Sequence, residues 1–239
     1  MSTRYPTISL SEQQRQRYKA QLQLPGMSEE KLGRILRSTC LCIAGGEPLE
    51  YAVQHLVRAG VGAVHIFGER GYLEPFERWG GAINPDVNVE LHQLLADADP
   101  GDNVFSGVNV VIESALDWQF KLRISDTCMR LGIPLIHCGS SGLRFQLFSM
   151  VPGKSACLRC ALPVIGIDDV PLHPVPRDTF DPVAACAGSL MALEAIKLIC
   201  GLGVIQGNEL WKVDGLSGEI EIVRGLDRRH DCPDCGRHR

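Results

Sequence analysis

The stretch Thr39–Phe67 reads TCLCIAGGEPLEYAVQHLVRAGVGAVHIF, and its pattern decides the fold. A short apolar run of strand length, Thr39–Ala44, ends in a pair of glycines. Leu49–Ala59 then carries apolar residues at helical spacing, and a Gly-Val-Gly turn leads into a second apolar run, Ala63–Phe67. Strand, glycine turn, helix and strand form a βαβ unit, so the stretch predicts an α/β fold with a parallel sheet.

The rest of the chain continues this alternation. Apolar runs predict strands at Val87–Leu91, Val108–Glu113 and Ile133–Cys138, and a helix over Leu116–Leu131 separates the last two. Trp211–Val223 predicts an antiparallel hairpin around a glycine-containing turn. We therefore expect one Rossmann-like domain over residues 1–239, with a mixed, mostly parallel sheet flanked by helices.

Four other segments complete the expected layout. Residues 8–37 predict a helical arm that Ser11 caps, and residues 68–85 are interrupted by glycine and proline. Residues 161–182 contain five prolines and predict a long surface loop. Ala187–Cys200 predicts a helix that is apolar on nearly all sides, hence buried, and that Gly201 ends.

Two cysteine pairs give the most specific local signal, and they are Cys157-Leu-Arg-Cys160 and Cys232-Pro-Asp-Cys235. Each C-x-x-C turn directs two sulfurs the same way, and four thiolates complete a closed, structural tetrahedral zinc site. The alternatives are two redox dithiols or a pair of disulfides. With zinc, the tail is clipped onto the preceding segment, so we expect a C-terminal zinc-clipped subdomain.

The composition and net charge of the chain limit the classes of partner that we expect it to bind. The chain has 239 residues, 45% of them hydrophobic, and a net charge of −4, which gives no reason to expect nucleic acid or a membrane as partner. No segment is expected to span a membrane and the N-terminus does not read as a signal peptide, so we expect a cytoplasmic protein. The six remaining cysteines are expected to be buried thiols: Cys40, Cys42, Cys128, Cys138, Cys186 and Cys200.

Taken together, these features resemble the ThiF/MoeB/HesA family of ubiquitin-activating-enzyme-like adenylyltransferases. The resemblance rests on the order and spacing of several motifs along almost the whole chain. They are Arg17-Tyr18 with Gln21, Ala59-Gly60-Val61-Gly62, the two cysteine pairs, and GSLMALEAIK at Gly188–Lys197. It implies an arm at 1–37, a nucleotide-binding half at 38–150 and a zinc-binding, carrier-facing half at 151–239. Active members use ATP to adenylylate the C-terminal glycine of a ubiquitin-like sulfur carrier, and they are homodimers.

The family's phosphate-binding turn reads G-x-G-G-x-G, whereas residues 44–49 read AGGEPL. Gly45 and Gly46 remain as candidate nucleotide contacts. Glu47 replaces a required glycine and places a carboxylate at the positive end of the helix, where we expect it to take the place of phosphate. Pro48 also removes an N–H donor. The resemblance therefore implies a phosphate site that this chain has dismantled.

Other nucleotide contacts of the family are altered too. Glu69 is the candidate for the acidic residue that holds the ribose, and Asp117 for the magnesium ligand, one residue beyond the expected position at Leu116. The phosphate-seeking arginine of the arm is replaced by Ala20, with Lys19 beside it. Residues 71–85 are too short for the family's segment that carries a further arginine and lysine.

Three functions follow as hypotheses. The first is a non-catalytic or strongly diverged member that binds a sulfur carrier or peptide C-terminus, with structural zinc and doubtful ATP and magnesium binding. The second is an active adenylyltransferase with replacement ligands. The third is a different enzyme that uses His137, Cys138, His173 or Arg177. Cys186, the cysteine nearest the family's reactive loop, is expected to be a packed core thiol.

Overall fold

The computed structural model describes residues 9–43, 45–77, 83–94, 100–165 and 178–236. The strands are β1 Thr39–Ile43, β2 Ala63–Gly68, β3 Asn88–Gln93, β4 Val110–Glu113, β5 Leu135–Ser141, β6 Arg144–Met150, β7 Glu209–Asp214 and β8 Glu219–Arg224. The helices are α1 Glu12–Arg17, α2 Lys19–Leu22, α3 Glu29–Leu36, α4 Pro48–Ala59, α5 Arg70–Glu77, α6 Trp118–Leu131, α7 Leu158–Ile165 and α8 Asp181–Cys200. A 3-10 turn at Asp102–Phe105 precedes β4.

The eight strands form one sheet in the order β3-β2-β1-β4-β5-β6-β7-β8. Strands β1 to β5 pair in parallel, and β6, β7 and β8 are added antiparallel. The predicted mixed, mostly parallel Rossmann-like sheet is therefore confirmed. Strands β2 and β3 are added on one side of β1, and strands β4 and β5 on the other. The order in which strands are added to the sheet therefore reverses beside β1. Open α/β sheets bind their ligands at such a reversal, outside the carboxyl ends of the strands.

Helices cover both faces of the sheet. Residues of α3, α4, α5 and α8 share one core cluster with one side of the strands, and residues of α6 and α7 share the other. Helix α8 packs along α4 at Gly188, where an added Cβ would lie 2.3 Å from the carbonyl oxygen of Pro48. The glycine of the GSLMALEAIK motif therefore permits close approach of two helices.

The arm is anchored by Tyr18, which is buried against the end of α4. An added Cβ on Gly60, whose φ is +88°, would lie 2.6 Å from the Tyr18 hydroxyl. That hydroxyl donates to Asp86 (3.0 Å) and accepts from Asn84 (2.9 Å). Ser11 caps α1 as predicted. The Arg-Tyr motif of the arm and the glycine motif after α4 thus form one packing contact.

Two segments predicted to be irregular contain helices. Helix α5 lies within residues 68–85, because burial of Leu73 and Phe76 against the sheet outweighs weak local propensity. Helix α7 extends into the expected 161–182 loop, and α8 begins at Asp181 rather than at Ala187. Proline is well tolerated in the first turn of a helix, so Pro182 starts α8 instead of excluding it.

The expectation that no segment has the length for a membrane span was wrong for α8. Its 20 residues, with a mean hydropathy of 1.8 over the most apolar window, are long and apolar enough by composition. Half of that window is buried, and the helix packs against α3, α4 and strands β4 to β6. These contacts are those of the core helix that the sequence predicted.

Candidate functional site

The turn between β1 and α4 lies at the reversal point of the sheet. Gly45 packs on the loop after β4, where an added Cβ would lie 2.6 Å from Cα of Ala115. Leu49, at a position where the family has glycine, directs its side chain into the core and is fully buried. Ala44 lies outside the described residues. The two loops that flank a nucleotide in this fold class are therefore in direct contact here.

Glu47 occupies the N-cap position of α4, but its side chain makes no capping hydrogen bond. The expectation that Glu47 would satisfy the helix terminus was therefore wrong. The residue has helical φ and ψ values of −56° and −34°, so its side chain is not placed as in an extended N-cap, and it is exposed. Pro48 stands at the start of the helix and supplies no N–H group.

Glu47 and Glu69 both act on the same neighbour, although they follow different strands. Burial raises the pKa of the Tyr72 hydroxyl, and the carboxylates of Glu69 and Glu47 raise it further. Both acidic groups therefore lie near Tyr72, beside the carboxyl ends of β1 and β2.

Asp117, the candidate magnesium ligand, is the N-cap of α6. Its carboxylate accepts from the backbone N–H of Phe120 at 2.7 Å. The side chain is partly exposed, so one oxygen acts as the cap while the group remains in contact with solvent. Glu69 is exposed just after β2. Within the described part of the chain, its carboxylate accepts no hydrogen bond.

In the arm, Arg17 lies away from the carboxyl ends of β1 and β2. Arg17 forms an ion pair with Asp86 at 2.5 Å, and Gln21 donates to the carbonyl oxygen of Arg58. Ala20, which replaces the phosphate-seeking arginine, is exposed beside Lys19. The arm motif therefore acts here in packing against the loop before β3.

A buried charge cluster that the sequence did not predict lies at the ends of β4 and β5. Glu113, Lys121 and His137 are all almost fully buried. One carboxylate oxygen of Glu113 contacts Nδ1 of His137, and the other lies 3.5 Å from Nζ of Lys121 and accepts from the backbone N–H of Ala115. Lys121 also donates to the carbonyl oxygen of Cys138 at 3.0 Å.

Within the cluster, the pKa values of Glu113 and His137 both lie below their usual values. Burial acts to raise the pKa of Glu113, but Lys121, His137 and the backbone N–H of Ala115 outweigh it and lower the pKa. Burial lowers the pKa of His137, Lys121 lowers it further, and Glu113 opposes both. At neutral pH Glu113 is therefore a carboxylate and His137 a neutral imidazole, with the imidazole hydrogen on Nδ1. A charge at the end of the apolar run VNVVIE was the sequence signal for this cluster.

The third hypothesis loses its nucleophile. His137 and Cys138 lie on opposite faces of β5, as alternation along a strand requires. Burial raises the pKa of Cys138 to about 12, with Lys121 opposing, so it stays a thiol at neutral pH. His173 and Arg177 lie outside the described residues.

Cys186 corrects another expectation, because its side chain is exposed on α8 rather than packed in the core. The other five cysteines expected to be buried are so: Cys40, Cys42, Cys128, Cys138 and Cys200.

The two cysteine pairs meet, as their spacing predicted. Cys157 and Cys160 lie at the start of α7, and Cys232 and Cys235 in the tail. The sulfurs of Cys157 and Cys232, and those of Cys160 and Cys235, are each 3.5 Å apart, and all four lie within 4.8 Å of one another. A disulfide needs sulfurs about 2.05 Å apart, whereas a tetrahedral zinc with 2.3 Å bonds places them about 3.8 Å apart.

The surroundings of the sulfurs also fit a metal ion. All four cysteines are buried, and the backbone N–H of Arg229 donates to the sulfur of Cys160 at 3.3 Å. Burial acts to raise the pKa of Cys232, but N–H groups of Cys235 and Asp234 and the neighbouring thiols lower it to about 7. Four sulfurs leave no position for water, so this cluster can hold a metal ion in a closed, structural site.

The sequence model of the ThiF family matches residues 80–234, from the segment before β3 to the second cysteine pair. The chain belongs to the ThiF family. The match spans β3 to β8 and three of the four clustered cysteines, Cys157, Cys160 and Cys232. The relatives extend the likeness over almost the whole chain.

Among the relatives of this ThiF family member is the heterocyst protein HesA of Trichormus variabilis, 27% identical over 96% of this chain and 91% of the relative. The SAMP-activating enzyme E1 of Haloferax volcanii is 25% identical over 96% and 92%. The ThiS adenylyltransferase of Bacillus subtilis, named for a sulfur carrier protein, is 26% identical over 85% and 66%.

Solved structures give the same fold. MccB of E. coli, solved with succinimide, superimposes with a TM-score of 0.75 at 19% identity, covering 92% of this chain and 74% of MccB. MccB with ATP gives a TM-score of 0.73 at 20% identity over 92% and 74%. These similarities concern the fold.

Proposed function

We propose that this chain is a ThiF family member with a degraded ATP site, which acts as a zinc-stabilised binding or scaffold protein. Its partner would be a ubiquitin-like sulfur carrier or another peptide C-terminus in sulfur or cofactor metabolism. We further propose a cytoplasmic homodimer in which the metal in the cysteine cluster is zinc. The observation that carries the proposal is the start of α4.

The start of α4 supports a loss of phosphate binding for three reasons. Glu47 is exposed at the N-cap position of α4 and Glu69 is exposed directly after β2, so two carboxylates lie at this end of the sheet. Pro48 removes an N–H donor. Gly45 packs directly on Ala115, so the loops at the reversal point touch. Anion binding at a helix terminus needs free N–H groups and a positive local field, and both are diminished here.

The proposed partner surface lies near the turn between β5 and β6. The large apolar side chains of Leu143, Phe180 and Leu216 are exposed. Backbone hydrogen bonds connect the segments that carry these side chains. The N–H of Phe180 donates to the carbonyl oxygen of Gly142, and the N–H of Gly215 donates to the carbonyl oxygen of Leu143. Exposed apolar groups held by a rigid backbone suit the binding of an extended peptide tail.

The second candidate is an active adenylyltransferase that acts on the C-terminus of a sulfur carrier. The partly exposed carboxylate of Asp117, at the end of the loop after β4, favours it, because one oxygen remains available to magnesium. The names of several relatives also favour it. Loss of one preorganised charge contact typically costs about 100-fold or more in rate, so several losses weigh against this candidate.

Titration calorimetry with magnesium-ATP separates the two candidates. We expect no binding tighter than roughly 100 µM, which corresponds to about 5.5 kcal/mol. The variant Glu47→Gly removes the carboxylate and restores a family glycine, and we expect it to bind the nucleotide more tightly than the unaltered chain does. Binding by the unaltered chain below roughly 100 µM would overturn the proposal and support the adenylyltransferase.

A further inference from the structure

Three potential metal ligands share one face of the sheet at β2 and β3. His65 of β2 is the cross-strand partner of Glu90 of β3, and His92 follows Glu90 by two residues. Side chains two residues apart point to the same side of a strand. Two imidazoles and one carboxylate are therefore brought together at the edge of the sheet, and none of them belongs to the cysteine cluster.

The three groups converge on one carboxylate oxygen. Oε2 of Glu90 lies 3.5 Å from Nδ1 of His65 and 3.4 Å from Nε2 of His92, and all three atoms lie within 4.8 Å of one another. Ligands bonded at 2.0–2.1 Å to a tetrahedral zinc are about 3.3 Å apart. Two of the three separations match that spacing with little movement.

Neighbouring groups hold the ligands in place. Asn88 donates to the other oxygen of Glu90 at 2.8 Å, which leaves Oε2 turned to the imidazoles. The ring of His92 stacks on Phe67, with ring centres 4.4 Å apart, and lies parallel to the ring of His65. Hydrogen bonds and packing that orient metal ligands are a common feature of metal sites.

One ligand atom has only a long contact with its partner. Nε2 of His92 is buried, and within the described part of the chain it makes no hydrogen bond, although Oε2 of Glu90 is 3.4 Å away. A buried imidazole nitrogen without a hydrogen bond carries a desolvation cost. A cation placed between that nitrogen and the carboxylate would remove this cost.

We propose that His65, Glu90 and His92 form a second metal site, which takes a first-row divalent ion, Zn²⁺ above all. Two imidazoles and a carboxylate suit zinc, whereas magnesium and calcium prefer oxygen ligands alone. Three protein ligands leave one tetrahedral position for water or a bound molecule. The site therefore differs in chemistry from the cysteine cluster, which is closed.

The test is a calorimetric titration with Zn²⁺ of the full chain, already loaded with one equivalent of zinc. We expect a second equivalent to bind. His65→Ala and His92→Ala should each weaken that second event by at least about tenfold, a loss that even changes outside the ligand shell produce. His55→Ala is the matched control. His55 lies on α4 beside Ser189, away from the cluster, and its loss should leave the second event unchanged.

Two titration results would overturn the proposal. One is the absence of a second equivalent in the unaltered chain at Zn²⁺ concentrations up to the millimolar range. The other is a second equivalent that persists at full affinity in His65→Ala and His92→Ala. A measurement on the unaltered chain guards against misfolded variants: the second equivalent must shift the imidazole NMR signals of His65 and His92, and unchanged signals would also overturn the site.

Discussion

Glu113 and Glu47 stand at the ends of neighbouring strands and have opposite environments. Glu113 is fully buried, and Lys121, His137 and the backbone N–H of Ala115 stabilise its charged form. Glu47 is exposed and makes no capping hydrogen bond. A buried charge persists only where it is paired, whereas an exposed one shapes the field that a ligand meets. The proposed function therefore gives Glu113 a role in stability and Glu47 a role in ligand binding.

The buried cluster makes stability depend on pH. His137 has a pKa below its usual value of 6.5, first because of burial and then because of Lys121. Near pH 6.5 and below, the unfolded chain binds a proton at His137 that the folded chain does not bind, so acidification favours unfolding. We expect this one group to lower the free energy of unfolding by up to about 1.4 kcal/mol per pH unit.

Urea unfolding at several pH values between 7 and 5 measures this slope. His137→Gln should flatten it, because the titrating group is gone, and His55→Gln should keep the slope of the unaltered chain. Below about pH 4.5 the lowered pKa of Glu113 adds in the same direction, because the unfolded chain then binds a proton at Glu113 that the folded chain does not bind. Equal slopes for His137→Gln and the unaltered chain would contradict this account.

Single residues were predicted well where local pattern decides and poorly where neighbours decide. The meeting of the four cysteines Cys157, Cys160, Cys232 and Cys235 was predicted correctly, because the C-x-x-C spacing directs each pair of sulfurs the same way. Cys186 was placed wrongly, because α8 is apolar on nearly all sides and its sequence does not reveal which side meets α4. The Glu113, Lys121 and His137 cluster escaped notice because its members come from three elements that only the fold brings together.

At the scale of elements, the packing of α8 on α4 depends on one glycine. An added Cβ at Gly188 would lie 2.3 Å from the carbonyl oxygen of Pro48 and 2.6 Å from Cβ of Tyr51. Both are far inside normal contact distances, so Gly188→Ala must push the helices apart. We expect a loss of about 1–3 kcal/mol in the free energy of unfolding, the usual cost of overpacking.

Gly71 provides the matched control for that prediction. It lies in α5, and an added Cβ would meet no atom within 4 Å. Gly71→Ala should therefore stabilise the protein by about 0.5–1 kcal/mol through helix propensity. The midpoints of urea unfolding of both variants test these two predictions. A Gly188→Ala midpoint equal to that of the unaltered chain would refute the packing argument.

Element types were predicted correctly wherever apolar period and flanking glycines agree. The βαβ unit, the terminal hairpin and the end of α6 at Gly132 all follow the sequence pattern. Helix α5 was missed, because glycine and proline in its sequence argue against a helix, while burial of Leu73 and Phe76 stabilises one. Tertiary packing is not visible in a local window, so such helices escape prediction.

At the scale of the whole molecule, the cysteine cluster joins two distant parts of the chain. Cys157 and Cys232 are 75 positions apart, and the segment between them includes α8, β7 and β8. We expect Cys157→Ser to lower the free energy of unfolding by about 3 kcal/mol or more, since metal binding in a structural site adds directly to folding stability. Chelation of the unaltered chain should have the same effect.

Cys186→Ser is the control for the cysteine substitution. The side chain is exposed, and we expect a change within about 0.5 kcal/mol. Metal analysis should find about one zinc per chain less in Cys157→Ser than in Cys186→Ser. A Cys157→Ser protein as stable as the unaltered one would show that the cluster holds no structural metal.

The link between α7 and the tail has a consequence for turnover in the cell. With zinc in the cluster, as we propose, a scarcity of metal removes the ion between the buried sulfurs, and the 75-position segment loses one of its two fixed ends. Proteases degrade chains in proportion to how often such segments open. The amount of this protein in a cell should then follow the supply of the metal, even where its gene is expressed at a constant rate.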